Sequence, residues 1–454
     1  MHHHVPTHVT VLFSALLVAM IICLALEEKI HAKKSVITSS FAVLCLFLAE
    51  FFGILPIGPL ENVFHEKLKI PVFITGIDWE VISIIIGTGL FVDVTTNSGL
   101  FSWIALKVTK LSKGDPLKLL SYYGILTVLF SAFLSNVTAM IIVGSLTSVS
   151  LKRLGKTQML LGFLLVEGFL TNVGGLLTLI SSVPNIIVGN TAKITFITFF
   201  IKSAPYVLVA TALTIFMGSR IFAIKALSTD EEKKEANDLV SSFDENDGIT
   251  SKSFFYASAI AFCFLILIFA TTSILPYFKD LGLGYVALSF GLVSLWVYKN
   301  SAEKFFASLD WDLIWFFLTL FAVINTMEHA LVLKTIGVGI QKVIALGEHA
   351  GAAGLLWLSA IASAVTDNIP LSAVLAKILS STPKDSPLWW CVIFGANLGG
   401  NITPIGSAST VVAVTIMHKN KISLGFAQFV KQAIPFAIAQ LILATFYVLF
   451  FLST

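Results

Sequence analysis

The chain has 454 residues, 56% of them apolar and only 12% charged, with a mean hydropathy of +0.91. An ordinary soluble domain carries about 25% charged residues, so this composition cannot cover a water-facing surface and excludes a soluble globular class. A net charge of only +3 leaves no electrostatic footprint for nucleic acid.

Met1-His2-His3-His4 reads as a tail or tag remnant. The apolar run at 9–26 lacks a basic n-region and ends in Glu27-Glu28 rather than in small residues, so it reads as a retained span and not a signal peptide. Runs of about 20 apolar residues cross the hydrocarbon core as helices. Such runs recur at 36–54, 79–97, 195–222, 253–275, 283–298, 312–327 and 425–452. Two others, 158–190 and 388–417, exceed one span and contain Gly-Gly, Pro and Asn, the pattern of helices broken inside the membrane. Segments 117–151 and 352–380 are apolar with polar centres and are predicted to be re-entrant helical hairpins. Stretches 99–113 and 330–346 have mixed apolar and basic faces that suit helices lying along the membrane surface. Residues 226–252 are polar, mixed in charge and without apolar periodicity, which predicts a solvated linker. Cys23, Cys45, Cys263 and Cys391 sit in apolar runs without metal-ligand spacing and read as packing residues.

With both hairpins re-entrant and the N-terminus outside, 19 of the 29 basic residues fall on the cytoplasmic side and nine outside, with Lys431 inside the last span. That bias satisfies the positive-inside rule. It places both termini outside and the 226–252 linker in the cytoplasm of what reads as a bacterial inner-membrane protein.

The two halves repeat. Asp78-Trp79-Glu80 and Asp310-Trp311-Asp312 each open a span, 232 positions apart. At the same offset, Ser131-Ala132-Phe133-Leu134-Ser135-Asn136-Val137-Thr138 matches Ser363-Ala364-Val365-Thr366-Asp367-Asn368-Ile369-Pro370. Asn172-Val173-Gly174-Gly175 through Ser181-Ser182 matches Asn397-Leu398-Gly399-Gly400-Asn401-Ile402-Thr403-Pro404-Ile405-Gly406-Ser407, 225 positions on. Phe200-Ile201-Lys202 with Pro205 echoes Phe429-Val430-Lys431 with Pro435. The fold predicted is an all-α polytopic membrane protein. Two repeats, 1–225 and 253–454, each hold five transmembrane helices, one re-entrant hairpin and one broken helix. Five spans is an odd number, so the second repeat enters the bilayer inverted, the architecture of secondary transporters.

Non-helical backbone at membrane depth is tolerated only when buried in protein or lining a wet cavity. Gly174-Gly175 and Gly399-Gly400 are expected to relax the chain there. Asn172, Asn397, Asn401, Thr403 and Ser407 supply amides and hydroxyls. Unwound carbonyls suit a cation, and exposed helix N-termini suit an anion. The hairpin tips, Ser135-Asn136-Val137-Thr138 and Asp367-Asn368, are expected to meet the broken helices. An ionisable group in mid-membrane costs at least about 2.5–3.5 kcal/mol and usually faces a cavity or partner. Asp367 is therefore the first candidate for coupling, with Glu167 and Asp93 behind it and Glu50 last. Lys202 and Lys431 read as snorkelling anchors.

These motifs resemble the ion transporter superfamily, in particular permeases of the ArsB, NhaD and P-protein type with a citrate transporter-like domain. The resemblance is carried by residues 131–138, 363–370 and 399–407, and by Val183-Pro184-Asn185-Ile186, and it runs from about residue 78 to 435. Ser135-Asn136 is more distantly similar to the tips of the divalent-anion/sodium symporters. The resemblance implies a homodimer with a central scaffold and two moving transport domains. It also implies coupling ions held at Asn136, Thr138, Asp367, Asn368 and the two Gly-Gly segments, with Pro184 and Asn185 in the matching Pro-Asn segment. The chain departs from the pattern at Ser135 and Ser182, where carboxylates are usual, which argues against arsenite-type or two-acid cation chemistry.

The function expected is an ion-coupled secondary transporter, not an enzyme, that moves a small inorganic or carboxylate anion with Na+ or H+ by alternating access. A Na+/H+ antiporter of the NhaD type and a passive channel are the alternatives. Partners are membrane lipid and the transported ion. No cofactor is expected other than bound Na+, and no metal beyond that transported ion.

Overall fold

The computed structural model describes residues 5–452 apart from 59, 62, 63, 247, 250, 301 and 405. The terminal histidines and Ile405 of the second repeat motif lie outside the described residues. Nine of the described helices are long and apolar enough to cross a membrane.

The first half opens with α1 (Thr7–Ala25) and α2 (Lys34–Phe51). A two-residue antiparallel ladder, Leu60–Glu61 against Lys67–Leu68, lies in the connection to α3 (Trp79–Asn97). The Asp78 carboxylate caps α3 by accepting from the Glu80 and Val81 N–H groups. Gly99, at φ 83°, turns the chain into α4 (Leu100–Ser112). Asp115 caps α5 (Pro116–Ser131), whose proline occupies the first turn, where no N–H is missed. Ser135 caps α6 (Asn136–Arg153), accepting from Thr138 N at 3.1 Å. Next come α7 (Leu160–Gly174), an unwound stretch, α8 (Val183–Ala192) and α9 (Phe196–Ile221).

After the linker the second half runs in the same order. It comprises α11 (Lys252–Thr271), α12 (Phe278–Ser294), α13 (Trp311–His329), α14 (Val332–Ile344), α15 (Glu348–Val365) and α16 (Asn368–Ile378). It closes with α17 (Leu388–Gly399), α18 (Ala408–Lys419) and α19 (Phe426–Tyr447). Asp310 caps α13 and Asp367 caps α16, as Asp78 and Ser135 do in the first half.

Burial separates two layers. Helices α7 and α17 are buried on almost every side, as a helix at the centre of a bundle must be, and their few polar residues, Glu167, Thr171, Asn172 and Asn397, are buried with them. By contrast only 28% of the span residues in α1, α2, α11 and α12 are buried.

The halves interlock reciprocally. Helix α2 packs along α13 and α12 packs along α3. Asp312 Oδ1 accepts from the Ser35 hydroxyl at 2.5 Å, at the start of α2. Glu80, 232 positions before Asp312, accepts from Leu283 N at 3.2 Å, at the start of the regular part of α12. At the α3–α12 crossing a Cβ on Gly87 would stand 2.2 Å from the Ala287 carbonyl carbon, so only glycine permits the approach.

The linker differs from its expectation. Thr229 forms a capping box with Glu232 and starts a helix, α10 (Asp230–Ser241), which buries Ala236 and Val240. Two apolar residues one helical turn apart are too faint a period to read in so charged a segment. Arg153 stacks its guanidinium 4.2 Å from the Phe243 ring centre. Asp115 Oδ2 accepts from Leu227 N at 2.9 Å, so both feet of the α5–α6 hairpin stand on the linker. Glu245 accepts from Lys107 at 2.7 Å and also from Lys110, both on α4. Those two ammonium donors hold the Glu245 carboxyl well below the usual range, at about 2.

Candidate functional site

Each hairpin tip is locked to the broken helix of its own half by the same pair of bonds. Ser131 Oγ donates to Thr171 O (2.6 Å), and Ser363 Oγ donates to Ala396 O (2.6 Å). Thr178 Oγ1 donates to Ala132 O (2.5 Å), and Thr403 Oγ1 donates to Ala364 O (2.7 Å). Donors and acceptors correspond at the repeat offsets, so the sequence repeat is a repeat of hydrogen bonds.

The two breaks then meet. Asn172 Nδ2 donates to Ser407 Oγ (3.1 Å) and Asn401 Oδ1 (2.8 Å). In the reverse direction, Ser182 Oγ donates to Asn397 Oδ1 (2.8 Å), and Asn397 Nδ2 donates to Asn185 Oδ1 (2.8 Å). Asn185 Nδ2 reaches the Gly175 and Thr178 carbonyls. Asn401 Nδ2 donates to Gln440 Oε1 (2.8 Å), and Gln440 Nε2 donates to Thr214 Oγ1 (2.9 Å). These side chains are buried and paired, which lets unwound backbone exist inside the bundle.

A chamber of about 340 Å³ lies against this network. Of the residues singled out from sequence, it is lined by Asp93, Ser135, Asn136, Thr138, Asn172, Pro184, Asn368 and Ser407. The first turns of α6, α8, α16 and α18 all reach it, so four helix amino ends face one space. First-turn N–H groups have no intrahelical acceptor and carry the positive end of the helix dipole. The charged side chains in the lining are Asp93 and Asp310, and no Lys or Arg is among them. Asp93 Oδ2 accepts from the Ser308 hydroxyl at 2.6 Å.

A second cavity of about 750 Å³ adjoins the first and shares Val137, Asp310, Leu313, Asn368, Ile369 and Ala408 with it. Asp367 lines this vestibule, not the chamber. Its Oδ1 caps α16, and its Oδ2 accepts from Lys34 Nζ at 2.5 Å.

Asn185, Asn397, Asn401 and Thr403 stand behind the chamber wall, where they hold the breaks together. Glu167 is fully buried, accepts from Thr147 Oγ1 at 2.6 Å and lines neither cavity. Gly175 and Gly400 keep right-handed helical backbone (φ −57° and −59°), so the unwinding begins after them and the double glycines do not relax the chain. Gly174 and Gly399 instead mark where each broken helix crosses a hairpin arm.

Sequence reading passed over Lys34, Ser308, Ser409 and Gln440. Gln440 had a readable signal, as the one strongly polar residue in the apolar stretch 433–444. Lys34 had none, because its place at the tip depends on tertiary packing.

Paired hairpins and broken helices around a chamber of mixed polar and apolar lining, inside a bundle of membrane-length helices, define a membrane transporter. The chain belongs to the citrate transporter family, which matches residues 15–391. It is 28% identical to a 46 kDa membrane protein of Mycobacterium leprae over 400 residues, 87% of this chain and 90% of that protein. It is 23% identical to the P protein of Mus musculus over 477 residues, 87% of this chain and 56% of that one, in keeping with the permease resemblance. In fold it is similar to the YdaH transporter of Alcanivorax borkumensis, with a TM-score of 0.59 and 12% identity over 92% of this chain and 97% of that chain.

Proposed function

We propose that the chain is an ion-coupled secondary transporter for a small anion, with a carboxylate of the citrate type as the first candidate. The observation that carries the reading is the convergence of four helix amino ends on one chamber that has no cationic side chain. Helix amino ends favour an anion. Asp93 and Asp310 oppose it, so an anion arriving with Na+ or H+ meets less repulsion than one arriving alone. That balance supports coupling, with Asp93 in the chamber, Asp310 in the wall shared by both cavities and Asp367 in the vestibule as the titratable groups along the path, and Glu167 as a deeper one. Na+/H+ exchange of the NhaD type is the second reading, favoured by the same acids.

The two halves act, in this reading, as inverted repeats that exchange access by an elevator-like movement of hairpins and broken helices. Reciprocal bonds between Asn172 and Ser407 and between Ser182 and Asn397 support that symmetry. A homodimer, external termini and a cytoplasmic linker belong to the same reading and rest on the resemblance and on the distribution of basic residues. The test is a substrate screen in proteoliposomes that reads uptake, Na+ dependence and lumenal pH together. Carboxylate uptake that needs a cation gradient supports the anion reading. Proton movement driven by Na+ alone replaces it with exchange.

A further inference from the structure

Helix α16 carries the second hairpin tip and is held at both ends by ion pairs. At its amino end Asp367 pairs with Lys34 of α2 at 2.5 Å, with the two side chains only 14% and 27% exposed. At its carboxyl end Lys377 pairs with Glu328 of α13 at 2.9 Å, where both side chains are near half exposed. Helices α2 and α13 pack along one another, so both pairs fasten the tip arm to one unit of the bundle. Among the described residues the first tip shows no such pair: Ser135 stands where Asp367 would, and its hydroxyl turns back to Thr138.

We propose that Lys34 is a positioning residue for transport, a tethered ammonium that occupies the Asp367 carboxylate and latches the second tip to the α2–α13 pair. The proposal rests on the transport reading above. The inner pair is the strong member of the two, because exposed pairs contribute little, while breaking a part-buried one strands a charge. A cation that binds Asp367 must displace Lys34, so loading and release of the tip become one event. Tip residues Asn368 and Ile369 lie in the wall shared by vestibule and chamber, so release of the latch changes the passage between them. Other charged or titratable groups facing the pair are Glu27, His31 and Lys33 before α2, and Asp310 and Asp312 at the start of α13. Glu27 also approaches Lys34, at 3.7 Å. From α18 and the first tip come only the apolar Ala408, Val411, Val412 and Val137.

The test uses the full chain in oriented proteoliposomes, with the four native cysteines replaced by serine and Val411→Cys added as a reporter in the vestibule. Labelling by a membrane-impermeant maleimide reads access without requiring a known substrate. Lys34→Met and Asp367→Asn are each expected to change the labelling rate at least about threefold. The conservative variant Lys34→Arg, which leaves the Asp367 cap of α16 in place, is expected to stay within about twofold of the parent. Unchanged labelling in both Lys34→Met and Asp367→Asn overturns the latch, as does Lys34→Arg labelling that departs from the parent as far as Lys34→Met does. The same vesicles report uptake separately, so a protein that transports nothing while labelling follows this pattern contradicts the transport reading and leaves the latch standing.

Discussion

Gly399 approaches Ala360 so closely that a Cβ on the glycine would stand 2.2 Å from the Ala360 carbonyl oxygen. In the first half Gly174 makes the same approach to Val128, where a Cβ would stand 2.7 Å from the Val128 Cα and carbonyl oxygen. Both obstacles are backbone, which cannot rotate away. The double-glycine motif is thus a packing device that seats each broken helix on the first arm of its hairpin.

Gly399→Ala is accordingly expected to destabilise the protein by about 1–3 kcal/mol, the usual cost of overpacking. Gly174→Ala should cost the same or somewhat less. The exposed Gly339 of α14 has open space around it, so Gly339→Ala should gain about 0.5–1 kcal/mol from helix propensity. Thermal unfolding in detergent separates the three. Equal melting of Gly399→Ala and the parent would remove the packing account.

Gln440 ties the last helix to both halves, accepting from Asn401 and donating to Thr214 in a site from which water is excluded. Gln440→Leu keeps the volume and leaves a buried donor and a buried acceptor short of a partner. A loss of about 1–3 kcal/mol follows from such an unsatisfied group. Pairing it with Thr214→Val should recover part of the loss, because only Asn401 then remains short. Additive losses in the double variant would show that the two side chains do not interact.

The linker is docked through Glu245, whose carboxyl is held at about 2 by the Lys107 and Lys110 donors. A carboxyl with a lowered pKa contributes stability in full above its unfolded value of about 4.3. It loses that contribution as the pH falls through its folded value. Linker protection against limited proteolysis is therefore expected to be constant from pH 5 to 8 and to fall between about pH 4 and 2. Glu245→Gln should expose the segment at neutral pH, and added salt should weaken docking in the parent, since the pairs are near the surface. Any pH dependence of transport between pH 5 and 8 then belongs to groups other than Glu245.

The membrane-length helices, and the breaks in the chain between helices, were legible because hydropathy and helix-breaking residues are local signals. The span predicted at 79–97 is Trp79–Asn97, and the hairpin predicted at 117–151 becomes Pro116–Ser131 with Asn136–Arg153. The site was legible as a set of polar residues but not in its division of labour. Asn136 and Asn397 look alike in sequence, yet one lines the chamber and the other stands behind its wall, bonded to Ser182 of the lining and to Asn185. The Asn397 amide is set by Ser182 and Asn185, more than 200 positions away, and no periodicity records that. Lys34 was one basic residue among several near a span end, and Asp367 drew attention without its partner being readable. The asymmetry between the tips, Ser135 against Asp367, was legible and has become more specific: one tip is self-capped, and the other is ion-paired to a different part of the bundle.

The proposed function has the chamber between the tips carry an anion with a coupling cation by alternating access. Its most direct test is accumulation of labelled citrate, and of smaller carboxylates in parallel, in proteoliposomes under an imposed Na+ or proton gradient, for the parent and for Asp367→Asn. Saturable uptake above the equilibrium level is expected, collapsing when the gradient is dissipated and losing its cation dependence in Asp367→Asn. Flux that rises linearly with concentration and ignores the gradient would contradict it and point to a channel.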